Sequence, residues 1–376
     1  MSIDPSRRRF AQGICALGLM PWLASCGDGD DVPAVELEYA DAVRGMMSTY
    51  FLPGVLAGVR RPGQRQWNGA FGKANLDTGA PLVLASSFPI RSVTKSFTVT
   101  IVLQLVRDGV LTLADTIDRY VPDVPNGHLI TLADLAGMQS GLVDYSATTP
   151  FQTEFIDDFL RSWTEQELVD FALVEPVLFQ PGAEYKYSNT NTVLLGMTVE
   201  AVTGVTLAEQ MGTRIFGPLR LSSSAYPFDA DLPAPFPTPY GVDINTGVAG
   251  EYPQISPTSL AGSGAIRSTL ADLLSWGDEL GRGSLIGPTL LELRRTQSRP
   301  VTNGPEYDNY GLGVGEIGGW WGHTGSGVGY QLACMNDPVS GTTIAVMVNA
   351  SPEGGRRDLN FAQEVFEALA EVVAAA

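Results

Sequence analysis

Ser92-Val93-Thr94-Lys95 opens an apolar run, Phe97 to Val106, that stops at Asp108-Gly109. The pattern predicts a helix buried almost all round, with a glycine stop behind it. Residues three apart share a helical face, so the Ser92 hydroxyl and the Lys95 amine come within reach of each other at its first turn. An alcohol is a poor nucleophile until a base removes its proton, and a desolvated lysine can serve as that base. The stretch therefore reads as a serine nucleophile mounted on a core helix. Only Lys73, Lys95 and Lys186 occur in the chain, so this lysine is not drawn from a crowd.

Two further motifs follow in order. Tyr187-Ser188-Asn189 lies after the Pro181-Gly182 turn and before an apolar segment, and His323-Thr324-Gly325 follows Trp320-Trp321-Gly322. Taken singly, the first also reads as a helix-capping loop and the second as a structural histidine. Their order and local context, added to Ser92 and Lys95, make the conjunction far more specific than any member. Tyr187 is then a second group able to take the serine proton.

A chain of 376 residues, 44% hydrophobic, can bury a large core and ordinarily divides into two lobes. The net charge is −18. Removing residues 1–25, which hold Arg7, Arg8 and Arg9 against Asp4, leaves about −20. So acidic a body argues against nucleic-acid binding, which needs a basic surface to release counterions.

The first residues read as an address. Ser6-Arg7-Arg8-Arg9-Phe10 resembles a twin-arginine export signal, and Ala11 to Leu23 is apolar but broken by Gly13, Gly18 and Pro21, too short to span a membrane. Leu23-Ala24-Ser25-Cys26 resembles a lipobox, in which Cys26 is lipidated and becomes the first mature residue; ordinary cleavage without lipid, or a buried first helix, are the alternatives. The expected organisation is an export signal over residues 1–26, a tether over 27–35, and a catalytic module over 36–376. The mature protein would be a periplasmic or cell-surface lipoprotein, held to the membrane by its anchor. Cys334 would then be its only other cysteine, leaving no intramolecular disulfide.

Within the module, Glu36 to Tyr50 reads as a helix, and Gly54 to Arg60 and Gln66 to Gly72 as strands turning at Arg61-Pro62-Gly63. Residues 115–290 alternate short helical patterns with Pro- and Gly-rich loops, including Thr131 to Ala136, Thr164 to Leu173, Thr190 to Val202 and Thr269 to Leu280. They read as a helical lobe. Gly329 to Asn336 and Thr342 to Asn349 read as a hairpin, followed by a helix from Arg357 to Val373. The strands of residues 36–114 and 291–376 are expected to share one antiparallel sheet, with the helical lobe inserted between them.

The order S-x-x-K, Y-x-N, H-T-G resembles the penicillin-recognising serine hydrolases: class C β-lactamases, D-alanyl-D-alanine carboxypeptidases and related esterases. The resemblance covers roughly residues 38–370, and takes in Phe179-Gln180-Pro181-Gly182, Tyr187 to Asn191, Phe216-Gly217-Pro218-Leu219, Ser140-Gly141-Leu142 and Tyr310-Gly311-Leu312-Gly313. With histidine opening the third motif, it is most similar to the carboxypeptidases. It implies an α+β (α/β) β-lactamase-like fold, an antiparallel sheet flanked by helices plus an all-helical lobe, with the site in the cleft. It also implies Ser92 as nucleophile, Lys95 as its activating amine, Tyr187 as proton relay and Asn189 as the group orienting the substrate amide. His323 and Thr324 would line the strand flanking the substrate, and Gly325 would let the substrate approach the backbone. The backbone N–H groups of Ser92 and Ser326 would form the oxyanion hole. Whether Lys95 or Tyr187 is the base stays open.

Other chemistries find little to build from. His128 and His323 are the only histidines, with no G-x-S-x-G elbow, no H-E-x-x-H and no thiolate cluster, so neither a Ser-His-Asp hydrolase nor a metal site is expected. Gly313-Val314-Gly315-Glu316-Ile317-Gly318 matches G-x-G-x-x-G but opens no helix, so no dinucleotide cofactor is expected either. Asp157, Asp158, Glu165 and Glu167 read as a solvated face. The expected function is an exported serine hydrolase acting through an acyl-enzyme on an amide or ester, D-alanyl-D-alanine carboxypeptidase-like first. Its partners would be a cell-wall stem peptide, a β-lactam or an ester. No arginine occurs between Arg299 and Arg356, where such carboxypeptidases commonly hold the substrate's terminal carboxylate, so a carboxylesterase or β-lactamase is the alternative. From another class, a penicillin-binding sensor that acylates without turnover fits the same motifs.

Overall fold

A computed structural model describes residues 33–302, 307–353 and 359–376. The leader, the lipobox and Cys26 lie outside the described residues. Eight strands form one antiparallel sheet in the order Trp67–Gly72, Gly54–Arg60, Thr343–Val348, Tyr330–Asn336, Trp320–Gly327, Gly315–Ile317, Asn309–Tyr310 and Arg299–Pro300. The N-terminal hairpin turns at Gly63, whose φ of +72° glycine adopts freely. Its first strand pairs with the C-terminal strand in the register Val55↔Val348 to Arg60↔Thr343, so the two ends of the chain do share the sheet.

The central strands are buried on both faces, and successive side chains feed different cores. Val55, Ala57 and Val59 join Ile344, Val346 and Val348 on one side, under the terminal helices Ala34–Tyr50 and Phe361–Ala375. Leu56, Leu332, Cys334 and Met347 face the other core, which holds the helix Thr94–Arg107. That helix is buried from Thr94 to Leu105, as its apolar run predicts. Its polar residues are satisfied inside: Thr98 Oγ1 donates to Gly262 O at 2.7 Å, and Trp276 Nε1 donates to Ser96 Oγ at 2.9 Å.

Leu132–Ala136, Glu165–Leu173 and Leu207–Met211 each start on a capping box, Thr131 with Asp134, Thr164 with Glu167 and Thr206 with Glu209. One helix assigned to the inserted lobe belongs elsewhere. Leu270–Arg282 packs across the sheet, with Gly277 against Cys334 and Thr343, and Leu274 against Gly58. Its apolar stripe announced burial but not a partner, so residues 270–282 are part of the sheet's cover. Glu165 also departs from the solvated reading. It is half-buried opposite Glu200, and burial first, then that like charge, pushes its carboxyl up to about 7. Gly315–Ile317 is a strand that turns through Gly318-Gly319 into Trp320–Gly327, which disposes of the dinucleotide motif.

Candidate active site

Ser92 sits in a short 3-10 turn, Arg91–Val93, that runs straight into the core helix. The three-residue offset then brings Lys95 Nζ to 3.1 Å from Ser92 Oγ. Lys95 is fully buried, and its other two donors are fixed, to Asn189 Oδ1 at 2.6 Å and Ser263 O at 2.9 Å. An ammonium satisfies all three acceptors. On losing one proton the amine keeps two donors for Asn189 and Ser263, and its lone pair points at the serine. Burial lowers the Lys95 amine from its ordinary 10.5 to about 7, partly opposed by the charge of Asp144.

Tyr187 closes the other side, with Lys95 Nζ 4.9 Å from its ring centroid and its phenol beside the Ser92 side chain. Burial first, then Tyr310 and Tyr307, push its phenol well above 10. At neutral pH the site thus holds a protonated phenol beside an amine that readily loses its proton.

Asn189 begins the helix Asn189–Thr203, and its role differs from the one the resemblance implied. Its Oδ1 accepts from Lys95, while Nδ2 donates to Asp144 Oδ1 at 3.3 Å, Asp144 Oδ2 at 3.2 Å and Ser146 Oγ at 3.0 Å. Both amide hydrogens are committed inside the protein. Asn189 therefore ties the lysine to a carboxylate and has no hydrogen left for a substrate amide.

The third motif holds the site together more than it faces substrate. His323 is 1% exposed, with Tyr310 Oη at 3.0 Å from Nε2 and Tyr307 Oη at 3.1 Å from Nδ1. Nδ1 also lies against the Thr324 carbonyl, which can only accept; Nδ1 therefore carries the proton, and Nε2 accepts from Tyr310. Burial, then the nearby Lys95, lower the imidazole to about 3, so it stays neutral. The Thr324 hydroxyl is taken by Tyr307 Oη at 2.7 Å. Gly325 is needed for the protein's own packing: a Cβ there would lie 2.6 Å from Ile90 O and 3.4 Å from Ser92 N. That close approach sets Ser326 beside the nucleophile turn. Ser326 is exposed, and among the described residues no strand pairs with 323–327 on its second edge. The Ser92 and Ser326 backbones thus lie together at an open strand edge, the arrangement an oxyanion hole requires.

Ser92, Lys95, Tyr187, Asn189 and the 323–326 strand converge as the sequence implied, while His128 is exposed elsewhere. Asp144, Ser146, Ser263, Tyr307 and Tyr310 were not anticipated as site residues. Asp144 stands two residues beyond Ser140-Gly141-Leu142 and Tyr310 opens Tyr310-Gly311-Leu312-Gly313, so the signal lay next to segments already noted. Among the described residues no group of three or more His, Cys, Asp or Glu side chains is placed to hold a metal ion.

The chain matches the family model described as beta-lactamase over residues 39–368. It is 31% identical over 225 residues to a D-aminopeptidase of Cereibacter sphaeroides strain KD131, covering 60% of this chain and 42% of that protein. A D-aminopeptidase of Brucella anthropi is 30% identical over 234 residues, covering 62% and 44%. The chain thus spans less than half the length of these relatives. Among solved structures, a D-stereospecific amidohydrolase from a Streptomyces species superposes with a TM-score of 0.77 at 27% identity, over 89% of this chain and 98% of that one. D-amino acid amidase from Ochrobactrum anthropi SV3 does so with 0.79 at 25%, over 90% and 98%. The likeness to a penicillin-binding protein of Bacillus halodurans, 0.72 at 23% over 89% and 100%, is one of fold.

Proposed function

The chain belongs to the beta-lactamase family of serine hydrolases, and from that membership we propose that it is an amidohydrolase acting through a Ser92 acyl-enzyme on D-amino acid amides or short D-peptides. The observation that carries the chemistry is Lys95 Nζ 3.1 Å from Ser92 Oγ, on an amine lowered to about 7. Neutral Lys95 takes the serine proton as Oγ attacks the carbonyl. The oxyanion forms between the backbone N–H groups of Ser92 and Ser326, and the protonated Tyr187 phenol delivers a proton to the leaving nitrogen and recovers one from the Lys95 ammonium, so that acylation ends with both groups in their starting states. Water then hydrolyses the ester with the same groups acting in reverse.

The substrate class is supported by the likeness to D-aminopeptidases and D-amino acid amidases, and by the character of the third-motif strand. That strand is walled by Tyr307, Tyr310 and a neutral His323, none of which pairs with a terminal carboxylate. A D-alanyl-D-alanine carboxypeptidase, the reading that His323-Thr324-Gly325 favours, would find no cation for that carboxylate among these three side chains or elsewhere between Arg299 and Arg356. Comparing kcat/KM on a D-amino acid amide, a diacyl D-Ala-D-Ala peptide, nitrocefin and p-nitrophenyl butyrate tests the choice, and the D-amide is expected to lead. A preference for the peptide's free carboxylate would restore the carboxypeptidase, and turnover of the butyrate alone would leave an esterase.

Export and the Cys26 anchor accompany this proposal on the strength of the arginine triplet and Leu23-Ala24-Ser25-Cys26. Cys26→Ala is expected to move the protein from the membrane to the soluble fraction. Unchanged membrane association in that variant would contradict the anchor.

A further inference from the structure

Arg91, the residue before the nucleophile, has φ +50°, a left-handed conformation that glycine adopts freely and a residue with a Cβ does not. The residue is 4% exposed, and its side chain runs along Gly327, where Nε makes no hydrogen bond. Nη2 donates to Val328 O at 3.1 Å, and the guanidinium lies 5.4 Å from the Tyr330 ring centroid. Among the described residues no carboxylate pairs with it, and burial lowers it to about 10. Backbone strain and an unneutralised buried cation thus fall on one residue, in a chain of net charge −18.

The same side chain lines a narrow cavity together with Pro89, Gln254, Gly264, Ala265 and Arg267. Arg267 Nε is likewise buried without a hydrogen bond. One carboxylate reaches the lining, that of Asp229; it accepts from the Asp231 backbone N–H at 3.2 Å and pairs with neither guanidinium. Two of the lining residues are bonded directly to residues of the catalytic site. Arg91 precedes Ser92, and Gly264 follows Ser263, whose carbonyl holds Lys95.

We propose that Arg91 and Arg267 form a carboxylate-binding subsite beside Ser92, which selects D-amino acid amides whose side chain ends in a carboxylate. The selection rests on the amidohydrolase reading given above; the subsite does not. A guanidinium presents parallel N–H donors that match the two oxygens of a carboxylate, and desolvation strengthens the pairing. A carboxamide of the same shape brings its own N–H groups against those donors and is disfavoured.

The test compares D-glutamic acid α-amide with D-glutamine α-amide, which differ only in that terminal group. The wild type is expected to prefer the acid by about tenfold or more in kcat/KM, the size a charge-assisted pair supports. The preference is expected to fall to within about twofold in Arg91→Gly and in Arg267→Gln once the paired donor is gone. If Arg91→Gly fails to fold, Arg267→Gln carries the comparison alone. Hydrolysis of both amides at equal kcat/KM by the wild type, or a preference that survives in the variants, would overturn the subsite while leaving the amidohydrolase reading intact. If neither amide is turned over, D-phenylalanine amide tests that reading separately, its hydrolysis keeping the amidohydrolase and its failure removing it, and calorimetry of glutarate with the Ser92→Ala protein decides the subsite. Binding that disappears on adding Arg91→Gly or Arg267→Gln upholds it; no binding, or binding indifferent to both, overturns it.

Discussion

Ser92→Ala abolishes covalent labelling by a fluorescent penicillin or an activated ester and lowers kcat/KM by about 10⁴-fold or more, because residual rate can come only from the oxyanion donors and substrate binding. The loss belongs to chemistry and not to folding. Ser92 is partly exposed, and its Oγ is one of three acceptors around Lys95, so the lysine keeps Asn189 and Ser263 when the hydroxyl is gone. Intact-mass and peptide analysis should place the adduct on Ser92 in the wild type. Equal labelling of the alanine variant would remove Ser92 from its assigned role.

Lys95→Met has the second largest effect, a fall of about 10³-fold or more in the acylation rate, since a neutral side chain of similar length cannot take the serine proton. It also leaves Asn189 Oδ1 and Ser263 O without their donor, at about 1–3 kcal/mol each for a buried group, set against relief from burying an amine. The wild-type pH profile carries the finer signature. Below about 7 the amine holds its proton and has no lone pair for Ser92, so acylation falls as pH drops through that value. Tyr187 titrates well above 10 and His323 near 3, so neither creates this limb. Asp144→Asn removes the charge that raises Lys95, and the limb is expected to move to lower pH. A limb unmoved by Asp144→Asn, or Lys95→Met activity within tenfold of wild type, would transfer the base to another group.

Local rules made much of this site legible. The Ser92–Lys95 pair follows from helical spacing alone, and the two hairpins from alternation and turn residues, because each partner lies a few positions away. Where the partner is distant, the chain says less. Asp144 reaches Asn189 across 45 positions, so nothing near either residue announces that the amide is committed to the lysine instead of the substrate. Gly325 was read as room for a substrate, whereas the atoms it admits belong to Ile90 and Ser92. The stripe on Leu270–Arg282 could not distinguish a helical neighbour from a sheet. Arg91 was passed over for a related reason: only the backbone angle and the missing partner make that arginine unusual.

The pairing of Gly54–Arg60 with Thr343–Val348 also bears on how the enzyme comes into being. A ribosome releases the first strand long before the second, so the middle of the sheet stays open while the residues between them are made. Loop closure over that span is slow, and contacts of such high sequence separation form late. The strand that sets Ser326 beside Ser92, Trp320–Gly327, pairs along its length with Tyr330–Asn336, which in turn pairs with Thr343–Val348. The nucleophile helix can form early, but its oxyanion partner waits for residues 320–348. A polypeptide that stops short of Thr343–Val348 therefore carries the serine without the strand that completes its oxyanion site, and hydrolytic activity requires synthesis to have passed residue 348.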